Sequence, residues 1–296
     1  MRILMIFIDG LGVGKKDPSR NPFAALPSQI FTDFLDEPRS TTIRSGSATR
    51  ADASLGIGGL PQSATGQTAL LTGVNAAAAA GRHLHGFPTK RLRDILHEHS
   101  ILKKLSARGL RAAFINVFNP LFFEALKKRL PLRNSATTVA NMAASLHFFG
   151  LEDLLERRAI YQDFTNRILL EKGFDVPVFT PREAGEILAR SAARYDFCLY
   201  EYFQGDVVGH TRNRFRATEE ARKLDEFLLA VLDSSDLRKT SIVLTSDHGN
   251  LEDLSTSRHT LNPVPVLFWG ELADNAPPIT SILDIAPLIM KSLKAV

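Results

Sequence analysis

Six side chains of types that bind metal ions lie at the ends of predicted strands or in the loops beside them. Asp9 directly follows the apolar run Ile3 to Ile8, and Asp247 and His248 come just after the β-prone run Ser241 to Thr245. Open α/β sheets place their ligand sites at such strand ends. Carboxylate oxygens and imidazole nitrogens together suit Zn²⁺ or Mn²⁺. The remaining three side chains are Asp206, His210 and His259.

Asp206 and His210 are four residues apart, just after the predicted strand Asp196 to Phe203. A helical turn there would bring both side chains to one face, where they could share an ion. A lone Asp at a strand end is more often a turn former. Three carboxylates and three imidazoles that all lie at strand ends can, however, be divided between two metal ions. The sequence therefore predicts a two-metal site.

A loop of small residues, Gly58 to Gln67, leads into the helical pattern Thr68 to Thr72. The start of a helix exposes free N–H groups and the positive end of the helix dipole, which favours an anion. Ser63 lies where such a loop would hold a nucleophile, and Thr65 and Thr68 are rival hydroxyls. Helix capping is the alternative role for all three.

Asp9 is followed by the glycine-rich run Gly10 to Lys15. A P-loop would have Gly where Asp9 stands and Ser or Thr where Lys16 stands. A dinucleotide-binding fingerprint would continue into a helix, whereas residues 16–22 contain two prolines and are predicted to form a loop. Both nucleotide motifs are therefore excluded. The glycines are expected to let the backbone pass close to a ligand, or to form a plain turn.

The composition is that of a globular protein with a mild basic excess. The chain has 296 residues, 44% hydrophobic and 23% charged, with a net charge of +4. This charge suits a small anionic substrate, and the basic residues do not form the stripe expected of a nucleic-acid-binding protein. The single cysteine, Cys198, excludes an internal disulfide and a cysteine-based zinc site. No apolar run has transmembrane length and the first is too short for a signal peptide, so we expect no membrane partner and a cytoplasmic location.

Buried strands alternate with helical patterns over most of the chain, which predicts an α/β fold with a mostly parallel sheet. The pattern changes after residue 118. Helical periodicity at 121–130, 137–149 and 154–170, without a convincing strand, predicts a helical cap insertion over residues 119–184. The core is then formed by residues 1–118 and 185–296. Further predictions are a strand at 111–118, a capping box from Thr180 to Glu183, and short strands around Thr41 to Arg44.

Several basic or polar residues are weaker candidates for substrate contact. Arg82 and His83 lie in a loop, and Lys127 and Arg129 belong to a basic run in the insertion. A solvated surface is the alternative for all four.

Five short motifs occur in a fixed order along the core. They are Asp9-Gly10, Ser63-Ala64-Thr65-Gly66, Asp206-x-x-Gly209-His210, Asp247-His248-Gly249, and His259 ahead of Asn262-Pro263-Val264-Pro265. In order and spacing they resemble those of the alkaline phosphatase superfamily, above all the branch with cofactor-independent phosphoglycerate mutase and phosphopentomutase. The resemblance covers roughly residues 1–118 and 185–296. It implies a three-layer sandwich around the sheet.

The resemblance also implies roles for single residues. Asp206, His210 and His259 would hold one metal ion, and Asp9, Asp247 and His248 the other, with Mn²⁺ or Zn²⁺ as the ions. Ser63 would contact metal and substrate and become phosphorylated. Gln67 stands where the mutase has His and is a further substrate candidate. The insertion is far smaller than the second domain of the mutase.

The expected activity is therefore two-metal phosphoryl transfer on a small phosphate ester through a phosphoserine. Attack of water on the phosphoserine would make the protein a phosphatase or phosphodiesterase, and attack by a retained substrate would make it a mutase. A non-catalytic, metal-dependent phosphosugar-binding protein is the alternative. A sulfatase would need a Cys or Ser precursor of formylglycine, and Cys198 lies in the middle of a predicted strand.

Overall fold

The computed structural model describes residues 1–26, 28, 30–31, 45–130 and 133–295. Within these residues six strands form one sheet with the order β2-β6-β5-β1-β4-β3. Strand β6 runs antiparallel to both of its neighbours, and all other pairs are parallel. The strands are β1 (Arg2–Ile8), β2 (Ser47–Ala51), β3 (Ala112–Phe114), β4 (Phe197–Tyr202), β5 (Thr240–Thr245) and β6 (Val264–Trp269).

Helices cover both faces of this sheet. In chain order they are α1 (Ser63–Thr72), α2 (Ala76–Ala80), α3 (Lys90–His99), α4 (Ile101–Ala107), α5 (Pro120–Lys127), α6 (Ala136–Ala143), α7 (Leu151–Leu155), α8 (Arg167–Glu171), α9 (Pro181–Ala192), α10 (Gln204–Thr211), α11 (Arg214–Ser234), α12 (Glu271–Asn275) and α13 (Ile285–Ser292).

Strand β1 lies in the middle of the sheet, which explains why its sequence is apolar throughout. Leu4, Ile6 and Ile8 point into one core, and Ile3, Met5 and Phe7 point into the other. A strand buried on both faces needs apolar residues at every position rather than at alternate ones. The predicted three-layer α/β sandwich with a mostly parallel sheet is confirmed.

The two cores are closed by different helices. Helices α9 and α11 pack on one another and contribute to the core that contains Leu4, whereas α1, α4 and α13 contribute to the core that contains Ile3. The predicted capping box at the start of α9 is present. Thr180 Oγ1 accepts a hydrogen bond from the Glu183 backbone at 3.1 Å, and Glu183 Oε2 accepts one from the Thr180 backbone at 2.9 Å.

Strand β3 is shorter than predicted, because only Ala112–Phe114 of the apolar run 111–118 pair with β4. Beyond Phe114 the chain pairs with the inserted segment instead. Asn116 and Val117 form isolated bridges with Ile160 and Phe149. The edge of the sheet is therefore covered by residues of the insertion.

The inserted segment does not contain the long third helix predicted over 154–170. Helix α7 ends at Leu155 and α8 begins only at Arg167. The Asp163 carboxylate between them accepts hydrogen bonds from the backbone N–H groups of Asn166 and Ile168, which forms a turn rather than a helix.

The segment also packs into both cores. Phe164 and Leu169 lie in the core with Leu4, whereas Val139 of α6 lies in the core with Ile3. The division into a core and a cap at residues 119 and 184 stays a prediction. The strands predicted around Thr41 to Arg44 lie outside the described residues.

Cys198 lies on β4, paired with Leu4 of β1, and is fully buried. Among the described helices, none combines the length and the apolar character that crossing a membrane requires.

Candidate functional site

The candidate ligands meet at the carboxyl ends of three adjacent strands. Asp9 follows β1, Asp247 comes two residues after β5, and α10, which carries Asp206, follows β4. Because β4, β1 and β5 are parallel neighbours, their ends lie side by side at one edge of the sheet. The sheet thus brings together residues that are more than 200 positions apart in the sequence.

Asp9, Asp247 and His248 form the first cluster of ligand-type side chains. All three are buried, and their ligand atoms lie within 4.8 Å of one another. His248 Nε2 is 3.3 Å from Asp9 Oδ1 and 3.5 Å from Asp247 Oδ2. Both of these carboxylate oxygens are buried without a hydrogen-bond partner. Such atoms are costly to bury unless a cation binds them.

Burial and neighbouring charges shift the pKa values of two side chains in this cluster. Burial raises the pKa of Asp247 well above its ordinary value, and the neighbouring carboxylates Asp9 and Asp206 raise it further. Burial alone would lower the pKa of His248, but the nearby carboxylate of Asp9 outweighs that effect and raises it. The excess of negative charge is what a divalent cation would neutralise.

Asp206 is the centre of the second cluster. Its Oδ1 lies 3.3 Å from His259 Nε2 and its Oδ2 lies 3.2 Å from His210 Nε2. His259 Nδ1 donates to the Pro61 carbonyl at 2.8 Å, and His210 Nδ1 donates to the Ser257 carbonyl at 2.7 Å. With the Nδ1 atoms acting as donors, the Nε2 lone pairs of both rings are free to bind a cation.

His248 also lies against the second cluster, because its ring stacks on His259 with centroids 3.7 Å apart. Asp206, His248 and His259 are within ligand distance of one another as well. A neutral imidazole offers only one lone pair to a cation, so His248 could serve only one of two ions. His210, whose Nε2 lies 3.2 Å from Asp206 Oδ2, is then the candidate for a third ligand in the second cluster.

Two glycines allow the two clusters to lie this close. Gly10 has φ +73°, and a Cβ atom there would lie 2.8 Å from the Asp206 Cα. A Cβ atom on Gly205 would lie 2.5 Å from the Asp9 carbonyl oxygen. The start of α10 therefore packs directly on the turn after β1, which holds Asp206 next to Asp9.

Ser63 is the first residue of α1 and contacts the first cluster. Its Oγ lies 3.0 Å from His248 Nε2. We expected Ser63 in the loop before the helix, but the helix begins at Ser63 with Gln62 as its cap. Gly66 brings α1 against the end of β5, since a Cβ atom there would lie 2.8 Å from the Asp247 carbonyl oxygen.

The rival hydroxyls are engaged elsewhere. Thr68 Oγ1 donates to the Ala64 carbonyl at 2.7 Å, as expected for a threonine inside a helix. Thr65 Oγ1 donates to the Gln62 carbonyl at 3.1 Å and accepts from the Leu84 backbone at 3.2 Å. Of the three candidate hydroxyls, only that of Ser63 contacts the ligand clusters.

The residues that were predicted to contact a substrate differ in their burial and in the groups that they contact. Gln67 is buried at the site, and its Nε2 donates to Asp9 Oδ2 at 3.3 Å. His83 Nε2 contacts the Ile57 carbonyl at 3.2 Å. Arg82, Lys127 and Arg129 are exposed. Their contact with a substrate stays a prediction.

Two residues of the loop after β5 were not among the candidates. Asn250 Nδ2 donates to Asp206 Oδ1 at 2.6 Å. The buried carboxylate of Glu252 accepts hydrogen bonds from the Gly12 and Asn250 backbones, from Thr260 Oγ1 and from Asn262 Nδ2, at distances of 2.5 to 3.0 Å. Their place directly after the Asp-His-Gly motif was the only signal in the sequence.

Comparisons with known proteins agree with this geometry. Residues 180–295 match the model of the metalloenzyme superfamily, and they include five of the six ligand candidates. The 2,3-bisphosphoglycerate-independent phosphoglycerate mutase of Desulforudis audaxviator is 31% identical over 124 residues, which are 40% of this chain and 24% of that protein. The match thus spans about a quarter of the length of this relative.

The fold is shared with solved structures across the whole chain. Alkaline phosphatase from the Antarctic bacterium TAB5 superposes with a TM-score of 0.57 and 16% identity, covering 100% of this chain and 98% of that one. The phosphoglycerate mutase of Leishmania mexicana superposes with a TM-score of 0.51 and 14% identity, covering 99% of this chain and 95% of that one. Residues 180–295 thus match the metalloenzyme superfamily model, and the whole chain has the fold of these alkaline phosphatase and phosphoglycerate mutase structures.

Proposed function

We propose that this protein is a two-metal enzyme that transfers the phosphoryl group of a small, anionic phosphate ester by way of a phosphoserine at Ser63. The observation that carries the proposal is the position of the Ser63 hydroxyl, 3.0 Å from His248, where the two ligand clusters meet. A hydroxyl at the start of a helix faces the positive end of the helix dipole, which favours an anionic nucleophile and a bound phosphate.

The residues present fit two divalent cations. Asp9, Asp247 and His248 would hold one ion, and Asp206, His210 and His259 the other. The buried, unpartnered oxygens of Asp9 and Asp247 support this assignment. The mixed oxygen and nitrogen donors suit Mn²⁺ or Zn²⁺. When bound, such ions would supply the positive charge that stabilises the attacking and leaving oxygens of an in-line displacement.

The chain's own groups then have defined roles. The Ser63 oxygen forms a bond to phosphorus while the bond from phosphorus to the leaving alcohol breaks. Gln67 and Asn250 hold the carboxylates of Asp9 and Asp206 in place. In a second step the phosphoserine transfers its phosphoryl group, either to water or to a hydroxyl group of a retained substrate. Residues 119–184 would act as the cap that selects the substrate.

Substitution of Ser63 tests this proposal. Ser63→Ala should lower turnover of a phosphate ester by at least about 10³-fold, because the attacking oxygen is removed while metal binding remains. Ser63→Thr should keep part of the activity. Thr68→Val is the matched control, since that hydroxyl is bonded within the helix. Intact-mass measurement and peptide mapping after brief exposure to substrate should find the phosphoryl group on Ser63.

Two outcomes would overturn the proposal. A phosphoryl group on Thr65 of the active protein would mean that the nucleophile is wrong. A protein that holds metal and binds a phosphosugar, but neither turns over nor becomes phosphorylated, would instead be the non-catalytic binding protein.

A further inference from the structure

We propose that a cavity beside the candidate site binds a planar, ring-bearing organic group of the phosphate ester. This inference rests on the proposed function and names its substrate class as aryl or heteroaryl phosphates. The cavity has a volume of about 280 Å³. Six of its lining residues are aromatic, namely Phe87, Phe114, Phe118, Phe122, Tyr161 and Phe203. We call it the aromatic cavity.

Two residues that line the aromatic cavity are close in sequence to residues that contact the elements of the candidate site. Phe203 stands between β4 and α10, two residues before Gly205, which packs on the Asp9 carbonyl. Phe87 lies three residues after Leu84, whose backbone N–H and carbonyl are hydrogen-bonded to Thr65 in the first turn of α1. An ester whose phosphorus is near Ser63 could therefore extend its organic group into the cavity.

The rings are held in place by contacts of their own. Phe118 and Phe122 pack with centroids 4.3 Å apart, and Phe114 meets Phe118 edge-on at 6.1 Å. The Phe118 backbone donates to the Phe149 carbonyl at 2.8 Å. A wall of fixed rings favours a flat apolar group, which can stack on ring faces without first ordering the wall.

Of the polar side chains described in the lining of the aromatic cavity, one is charged and available to a ligand. Asn116 is committed to β4, since its side chain donates to the Glu201 carbonyl at 2.7 Å and accepts from the Glu201 backbone at 2.9 Å. No acidic residue in the described part of the chain lines the aromatic cavity. Arg133 lines it and, among the described residues, makes no ion pair. A second negative group on the ring would meet this guanidinium.

A binding experiment tests the inference without needing turnover. Titration calorimetry on the metal-loaded Ser63→Ala protein would compare phenylphosphonate with methylphosphonate. We expect phenylphosphonate to bind about tenfold more tightly, as for an aromatic group stacked on protein rings. Phe87→Ala should remove this preference. Phe215→Ala is the matched control, because Phe215 is also an exposed ring but lies on α11, outside the cavity.

Two further ligands make the test sharper. Arg133→Gln should weaken binding of 4-carboxyphenylphosphonate but not of phenylphosphonate. Adenosine 5′-monophosphate distinguishes a nucleotide from a simple aryl ester, and binding of either supports the inference. Equal affinity for phenylphosphonate and methylphosphonate would overturn it, as would a preference for phenylphosphonate that survives Phe87→Ala. If ring preference persists in a protein that never forms a phosphoserine, only the proposed function fails.

Discussion

At the scale of single residues, Glu252 joins the turn after β1 to two parts of the β5–β6 connection that carry candidate ligands. Its Oε2 accepts from the Gly12 backbone, near Asp9, and from the Asn250 backbone, near His248. Its Oε1 accepts from Thr260, the residue after His259. Each of its two oxygens thus accepts hydrogen bonds from groups on either side of the site. We therefore regard Glu252 as a positioning residue.

Glu252→Gln should destabilise the fold and weaken metal binding. The new amide NH₂ would face at least one of the donors that now bind a carboxylate oxygen, which leaves a buried donor unsatisfied. The expected loss in the free energy of unfolding is about 1–3 kcal/mol, measured by denaturant titration. Metal affinity should fall in parallel. Glu98→Gln, at an exposed glutamate, is the control and should change neither quantity. An unchanged metal affinity in Glu252→Gln would argue against the positioning role.

The sequence could predict the six ligand candidates because each is fixed to a strand end by its neighbours in the chain. The spacing alone could not decide between Ser63, Thr65 and Thr68, since all three lie in or near one helical turn, and the prediction of Ser63 rested on its place ahead of the helix and on the resemblance. The choice depends on Leu84, which binds Thr65 only after the chain has folded. Glu252 was missed for a similar reason, because its partner Gly12 lies 240 positions away in the sequence.

At the scale of elements, the approach of α10 to the turn after β1 decides whether Asp206 reaches Asp9. Gly10 has both a positive φ and no room for a side chain. Replacing it should therefore add backbone strain and push α10 away from β1.

Gly10→Ala should lower the free energy of unfolding by at least about 2 kcal/mol, from left-handed backbone strain together with the clash against Asp206. It should also weaken metal binding. Gly56→Ala is the matched control, since Gly56 has φ +69° but no atom within 4 Å of an added Cβ. The difference between the two variants, measured by denaturant titration, isolates the clash. Equal losses in both would mean that the close approach is unimportant.

Element lengths were less predictable than element positions. The apolar run 111–118 looked like one strand, but Asn116 uses its side chain to bind the Glu201 backbone, and β3 ends at Phe114. The pattern over 154–170 looked like one helix until the Asp163 turn divided it. In both cases a polar side chain of the segment, that of Asn116 or that of Asp163, hydrogen-bonds to backbone groups in place of the regular backbone partner.

At the scale of the whole molecule, the proposed ions would join segments from both ends of the chain. Asp9 directly follows β1 and His259 precedes β6. A ligand that binds only the folded arrangement stabilises it by mass action. Metal content should therefore set the thermal stability of the protein as well as its activity.

Chelation should lower the melting temperature. With free Mn²⁺ or Zn²⁺ at about 100 times its Kd, binding adds about 2.7 kcal/mol, and this corresponds to roughly 5 °C or more. Thermal scans of EDTA-treated protein with and without added metal measure the shift. Mg²⁺ at the same concentration is the control for ionic strength. A melting temperature that is unaffected by saturating Mn²⁺ and Zn²⁺ would exclude a metal centre that spans these segments.

The burial of Cys198 supplies a natural reporter of how often the sheet opens. The thiol is fully buried on β4, between β1 and β3, and burial raises its pKa. A thiol reagent can reach it only after β4 has been uncovered, and the sequence contains no other cysteine that could react instead. The rate at which a reagent labels Cys198 therefore measures how often β4 becomes uncovered. The measurement needs neither a substitution in the protein nor a dye attached beforehand.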